Sequence, residues 1–321
     1  MQFLHILALM MPVIIPVALG QLFVRRGIFR HEDGEALLRY LLYATFPAVI
    51  LDHLVDQPLD ALFQPAFSIA TLVFVSVLYA GVYAVYRLWF RRSVAEAAMA
   101  ALCGSFVSAG IVGLPIMLDI IGPTYTLVPV IANTVISLVT AVPVTILLIQ
   151  MSKNRGAVSL WATLGRTFLD VLKNPLVLSA IAGLLISLLA VPIPAWLHET
   201  FAKVGEATFA TSLFAVGLGI DLALLRDNLR QITVLMLFRI VLSSAFGFLL
   251  AIVFDLAPGY ALSFVIMASL PTAKSIPPIA MQYGVFVGQS VQVVTVTTLA
   301  MVLTMPIVCY LGGLLWPGII R

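Results

Sequence analysis

LPTAKSIPPIA (residues 270–280) sets a lysine among three prolines, inside a stretch that carries no other charge from Tyr260 to Tyr283. Such a stretch can cross a bilayer, for which roughly 20 predominantly apolar residues suffice. Proline removes a backbone donor and clashes with the preceding turn, so a helix here is interrupted in its middle. A lysine at that depth costs about 2.5–3.5 kcal/mol on insertion scales and is kept where it is paired, hydrated or functional. The segment reads as a broken, charged membrane span.

Composition agrees. Of the 321 residues, 62% are hydrophobic and only 10% charged, whereas about a quarter would be charged in a soluble domain. Ten spans are expected, at about 3–24, 35–51, 66–88, 97–119, 127–150, 175–191, 205–221, 231–254, 260–282 and 289–315. The first has neither a basic leader nor a small-residue cleavage pattern and reads as a retained span, kinked at Pro12 and Pro16. Cys103 and Cys309 lie inside apolar runs without metal or redox spacing and read as small buried hydrophobes.

The loops alternate in charge. Arg25, Arg26 and Arg30 follow span one; Arg87, Arg91 and Arg92 follow span three; Lys153, Arg155, Arg166 and Lys173 follow span five; Arg226 and Arg230 follow span seven. The intervening loops carry Asp52, Asp56 and Asp60, then Asp119, then Glu199 with Lys203, then Asp255. By the positive-inside rule the basic loops are cytoplasmic and both termini extracytoplasmic.

Five spans per half is an odd number, so a duplicated unit must insert its second copy upside down. GEALLRYLLYATF from Gly34 echoes GEATFATSLFAVG from Gly205, and PIMLDIIG from Pro115 echoes PIAMQYG from Pro278. Two echoes in corresponding places indicate inverted repeats. The expected fold class is an all-α membrane protein: ten transmembrane helices in two inverted five-helix repeats, residues 1–150 and 175–321, joined by a short cytoplasmic linker at 151–174.

Spans four (CGSFVSAGIVGLP) and nine (ASLPTAKSIPP) concentrate Gly, Pro, Ser and Thr near the bilayer centre. Irregular backbone survives at that depth only where protein or a water-filled cavity satisfies it, and a matched pair of interrupted spans is the sequence pointer to a transporter's binding site. A second half-helix starting at Pro115, or at Pro277, turns its amides and positive dipole end toward the membrane centre, where two such ends favour an anion. An ordinary proline kink is the plainer alternative.

Lys274 admits three readings: it binds an anion, it replaces a coupling cation or carries a transported proton, or it caps carbonyls freed by the prolines. Arg239, eight residues into span eight, is expected to snorkel to the cytoplasmic face. Arg39, near the inner end of span two, reads as an interface anchor. Asn133, Ser137 and Thr140 share a helical face of span five, and Gln292, Thr295, Thr297 and Thr298 lie in span ten. Helix-to-helix hydrogen bonding explains most such residues; Asn133 is the one favoured as a ligand contact.

These motifs resemble the auxin efflux carrier family, which includes plant auxin exporters and bacterial carriers of malonate, malate and similar anions. The resemblance covers nearly the whole chain and rests on FVSAGIVGLP, on NPLVLSAIAGLLI with PIPAWL and SLFAVGLGIDL, and on ASLPTAKSIPPIAMQYG. It implies ten helices in two inverted repeats, a scaffold of helices 1, 2, 6 and 7 that also forms a homodimer, and a transport unit of helices 3, 4, 5, 8, 9 and 10 holding crossed broken helices. Family members usually carry asparagines where this chain has Ser108 and Ser275, so Lys274 suggests charge in place of amide hydrogen bonding. The long loop of the plant carriers is replaced here by about 25 residues, as in compact bacterial members.

The expected substrate-binding set is Ser108, Ala109, Gly110, Gly113, Pro115, Asn133, Pro271, Thr272, Lys274, Ser275 and Pro277. The function expected is secondary transport of a small organic anion, a mono- or dicarboxylate, across a bacterial inner membrane. Proton or sodium coupling is left open, and no cofactor, metal or nucleic-acid partner is expected. An intramembrane enzyme using Ser275 and Lys274, or a transporter-like sensor, stands as the alternative.

Overall fold

The computed structural model describes residues 2–55, 64–152, 165, 169, 172–189, 191–220 and 229–320, the first nine of these as backbone alone. Asp56, Asp60, Lys153, Arg155, Arg166 and Arg226 of the charge pattern, and most of the expected linker, lie outside the described residues.

Every regular element described is helical. In chain order they are α1 (Gln2–Arg25), α2 (Asp33–Leu54), α3 (Pro65–Trp89), α4 (Val94–Ser105), α5 (Ala109–Ile121), α6 (Pro123–Ser152), α7 (Pro175–Leu188), α8 (Ala195–Leu218), α9 (Leu229–Val253), α10 (Pro258–Ala268), α11 (Ile276–Tyr283) and α12 (Val287–Leu315). Five of them, α2, α3, α6, α9 and α12, are long and apolar enough to cross a membrane. Expected spans four and nine are each divided in two, as α4 with α5 and α10 with α11. Helix α1 runs through Pro12 and Pro16 without interruption, and α8 starts ten residues before the expected span seven, at Ala195.

The starts follow local chemistry. Proline opens α3, α7 and α10, where a missing N–H costs nothing. Asn174 caps α7 by accepting the Leu176 N–H at 2.9 Å. Ser93 and Glu96 form a reciprocal capping box on α4. Wide π turns interrupt α2 at Leu41–Thr45 and α9 at Phe238–Leu242, close α3 at Val85–Trp89, and open α5 at Ala109–Gly113.

Packing sorts the helices into two groups. In the first, α1 and α8 touch backbone to backbone: a Cβ on Gly20 would strike Phe214 O, and one on Gly217 would strike Val17 O. Gly205 of α8 and Gly183 of α7 lie against Val49 and Leu54 of α2. In the second, Phe74 of α3 stacks near Phe246 of α9 and edges onto Phe264 of α10, Gly104 of α4 lies on Val82 of α3, and Gly312 of α12 lies on Leu262 of α10. Small residues at such crossings let backbones approach where no hydrophobic force drives helices together.

Described basic segments gather together. Arg230 lies over Trp89 and Phe90, Phe286 packs on Tyr86, and the first turns of α12 share a cavity with His31 and Arg39. The segments holding Arg30, Arg87, Arg92 and Arg230 therefore meet at one end. At the other end of α2, Asp52 pairs with His198 at 3.0 Å.

Because the Val17 carbonyl faces Gly217, Gly217→Ala can be accommodated only by separating α1 from α8. A loss of about 1–3 kcal/mol is expected, read as a lower melting temperature in detergent. Gly288→Ala, with nothing within 4 Å of its Cβ, is the control; equal melting of the two variants contradicts the close approach.

Candidate functional site

Where α4 ends at Ser105 and α10 at Ala268, the two chains leave helical geometry and cross. Ser108 N donates to Pro271 O at 2.9 Å and Ala273 N donates to Phe106 O at 3.0 Å, with Val107 and Thr272 paired antiparallel between them. Each unwound segment thus satisfies the other's amides, which would be costly to leave unpaired away from water. Thr272 completes the junction from both of its polar ends. Its hydroxyl donates to Cys103 O at 2.9 Å, on the last turn of α4, and its N–H donates to Thr297 Oγ1 of α12 at 3.2 Å.

Beyond the crossing, α5 restarts at Ala109, six residues earlier than the Pro115 start that sequence suggests. Ser108 O accepts the N–H groups of both Val112 and Gly113, at 3.1 and 3.0 Å, closing a π turn. Pro115 lies buried in the following turn. The second half of span nine starts at Ile276 with Pro277 in its first turn, as expected. Both restarting helices lead away from the crossing, so their amide ends lie beside it.

Two cations attend the junction. The half-buried Lys274 reaches the carboxyl end of α8, with Nζ 3.4 Å from Val216 O and 3.5 Å from Ala215 O. These are not the carbonyls freed by its neighbouring prolines. Arg239 does not snorkel: it is fully buried and donates to Ala268 O and Leu270 O at the carboxyl end of α10. Helix periodicity places it on an apolar span but does not reveal that oxygen-rich end 30 residues away in the chain.

Lys274 lies in the wall of two cavities. The narrower, about 170 Å³, is lined by Phe106 to Ile111, Thr134, Leu138, Asn174, Leu176, Ala273, Lys274, Ser275 and Leu42. The wider, about 520 Å³, is lined by His31, Gly34, Glu35, Leu38, Arg39, Ala215, Gly219, Pro277, Thr295 and their neighbours. His31 Nδ1 lies 2.6 Å from Leu218 O; a carbonyl only accepts, so Nδ1 carries the proton. Arg39 faces Glu35 at 3.7 Å.

The expected set divides accordingly. Ser108, Ala109, Gly110, Lys274 and Ser275 come together on the narrower cavity, and Pro277 lines the wider one. Pro271 and Thr272 build the crossing. Gly113 packs on Leu270, and Pro115 lines neither cavity. Asn133 is fully buried, its amide has no hydrogen-bond partner among the described residues, and it too lines neither cavity. Thr297, read as a flanking polar residue, instead touches the break itself. Asn174, Thr134 and His31 were not singled out; the Asn-Pro that opens α7 was the available signal for the first, and nothing in the local sequence distinguishes the other two.

Interrupted helices crossing beside a cavity, with amide ends and a lysine turned toward it, define a membrane carrier. Residues 5–309 match the family described as "Membrane transport protein", and the chain belongs to it: this is the auxin efflux carrier family that its motifs resemble. Among its relatives, a Rhizobium meliloti protein named "Putative malonate transporter" is 26% identical over 317 residues, covering 96% of each chain. The Escherichia coli protein named "Uncharacterized transporter YfdV" is 23% identical over 307 residues, covering 95% of this chain and 97% of that one.

Thr272→Val keeps the volume but leaves Cys103 O without its donor. A loss of about 1–3 kcal/mol in stability is expected, as for other buried polar groups left unpaired, with Thr272→Ser close to the parent. Thermal unfolding of the two purified variants checks this, and equal melting points would remove the hydroxyl from the account of the crossing.

Proposed function

We propose that this chain is a secondary transporter of a small organic anion, a mono- or dicarboxylate, bound at the crossing of the two broken spans. The observation that carries the reading is the convergence of Lys274, Ser108, Ser275 and the amide end of α5 on one cavity. A carboxylate there meets a full positive charge, a helix dipole and hydroxyl donors at once. Ser108 Oγ is buried without a partner among the described residues, so a hydrogen-bonding place stands open. The malonate named for one relative has this chemistry.

The wider reading follows the two helix groups. The chain forms ten spans in two inverted repeats, with α1, α2, α7 and α8 as a scaffold and homodimer surface and the remaining helices as the unit that moves. The basic end faces the cytoplasm of a bacterial inner membrane and both termini face out. The wider cavity then opens inward, since it contains His31 and Arg39 of the basic end. An anion leaving a negative-inside cell gains about 2.3 kcal/mol per charge per 100 mV, so export needs no coupled ion whereas import does.

Lys274→Ala is expected to lower uptake of labelled carboxylates into proteoliposomes at least about tenfold, the loss of one charge-assisted contact, while expression and melting behaviour stay near those of the parent. Lys274→Arg is expected to retain part of the activity. Unchanged transport of every anion tested in Lys274→Ala sinks the substrate role of this lysine.

A further inference from the structure

Arg239 has no part in the anion site described above, yet it is the largest fully buried side chain of the described residues. It sits in the π turn of α9. Its Nε donates to Leu270 O at 2.9 Å, and its Nη2 to Ala268 O at 2.9 Å and Leu270 O at 2.7 Å. Ser243, one turn on, donates to the same Ala268 O at 2.8 Å. These partners are all neutral, and Nη1 has no partner among the described residues.

Ala268 and Leu270 are where α10 stops and the unwound segment begins. A helix carboxyl end carries carbonyls without intrahelical donors and the negative end of the dipole. In carriers with interrupted helices, such ends and the adjoining unwound carbonyls are where a coupling sodium or proton is held. Here three hydrogen bonds from a guanidinium occupy that position. A guanidinium keeps its charge at any physiological pH and cannot dissociate from the chain.

We infer that Arg239 is a resident cation of the span-nine break: it fills the carbonyl cluster at the carboxyl end of α10 that a coupling cation would otherwise take, so that the break works without sodium. A bound sodium enters and leaves within each cycle, and its site is empty for part of it. A tethered guanidinium keeps the end of α10 neutralised throughout, whether the anion site is loaded or empty. The consequence for coupling rests on the transporter reading; the role of Arg239 at the helix end does not.

The test uses the full-length purified protein and the variants Arg239→Ala and Lys274→Ala. Arg239→Ala is expected to melt several degrees below the parent, and guanidinium chloride at about 10 mM, far below denaturing levels, is expected to restore part of that loss by mass action. The parent and Lys274→Ala should not respond. In proteoliposomes, parental malonate uptake should be the same in sodium as in N-methylglucamine, and Arg239→Ala uptake should fall at least about tenfold and recover several-fold with guanidinium. The inference is overturned by parental uptake that requires sodium, by parental stability and uptake in Arg239→Ala without added cation, or by guanidinium acting alike on all three proteins. Should Arg239→Ala not survive extraction, Arg239→Lys and Arg239→Gln decide: sodium-free transport is expected of the lysine variant and not of the glutamine variant, and sodium-free transport by Arg239→Gln at the parental rate overturns the inference. A parent that carries no carboxylate at all refutes the transporter reading, while the melting experiment still judges Arg239.

Discussion

The structure depends on an exchange of backbone hydrogen bonds between two segments more than 160 residues apart. Ser108 N on Pro271 O and Ala273 N on Phe106 O allow two helices to stop and cross where neither has water to turn to. Each unpaired group at that depth costs several kcal/mol, so one broken helix alone would not be tolerated. A pair can be, because the donors and acceptors freed by one break are the partners needed by the other. Thr272 ties the pair to α4 and α12, and Arg239 satisfies the carbonyls that the exchange leaves over at the end of α10. The amide ends of α5 and α11 have no side-chain cap among the described residues, and in the proposed site they face the anion.

The same junction reaches the first helix group at the carboxyl end of α8. His31 reaches Leu218 O from the loop before α2, within its own group, and Lys274 reaches Ala215 O and Val216 O from the break. Gly219 leaves the space for this: a Cβ there would come within 3.0 Å of Nζ. In the proposed cycle, movement of the second group relative to the first draws Lys274 away from α8. An anion that takes Nζ as its partner therefore removes a contact between the groups at the moment of binding.

Much of this was legible in the sequence, and the remainder was not for identifiable reasons. Proline and glycine act on the helix that contains them, so LPTAKSIPPIA located the span-nine break from local chemistry alone, and its restart, expected at Pro277, to within one residue of Ile276. Pro115 misled because α5 had already restarted at Ala109, through a π turn closed on Ser108 O, and the proline falls just after that turn, inside the helix and not at its start. Arg239 misled for the opposite reason. Whether a cation in an apolar span snorkels or turns inward depends on what the facing helix offers, and the Ala268 and Leu270 carbonyls are offered only once α10 is known to end there. The spacing of Asn133, Ser137 and Thr140 fixes a shared face but not the neighbour of that face: Asn133 is buried in the bundle, lines neither cavity, and its amide has no partner among the described residues.

The two cations differ in how firmly they are held, and that difference assigns their tasks. Arg239 makes three bonds of 2.7–2.9 Å from a planar group with no exposure. Charge-assisted bonds of that length are strong, and breaking them would leave a charge stranded in the bundle. Lys274 makes two contacts of 3.4 and 3.5 Å, at the outer limit of hydrogen bonding, to neutral carbonyls, and its side chain also faces two cavities. A carboxylate at ordinary ion-pair distance offers it a better partner than those carbonyls do, whereas Arg239, whose Nη1 alone has no partner among the described residues, is already held by carbonyls through Nε and Nη2 and lines neither cavity. The guanidinium is therefore suited to holding the break together and the ammonium to changing partners, which is what the proposed anion site requires.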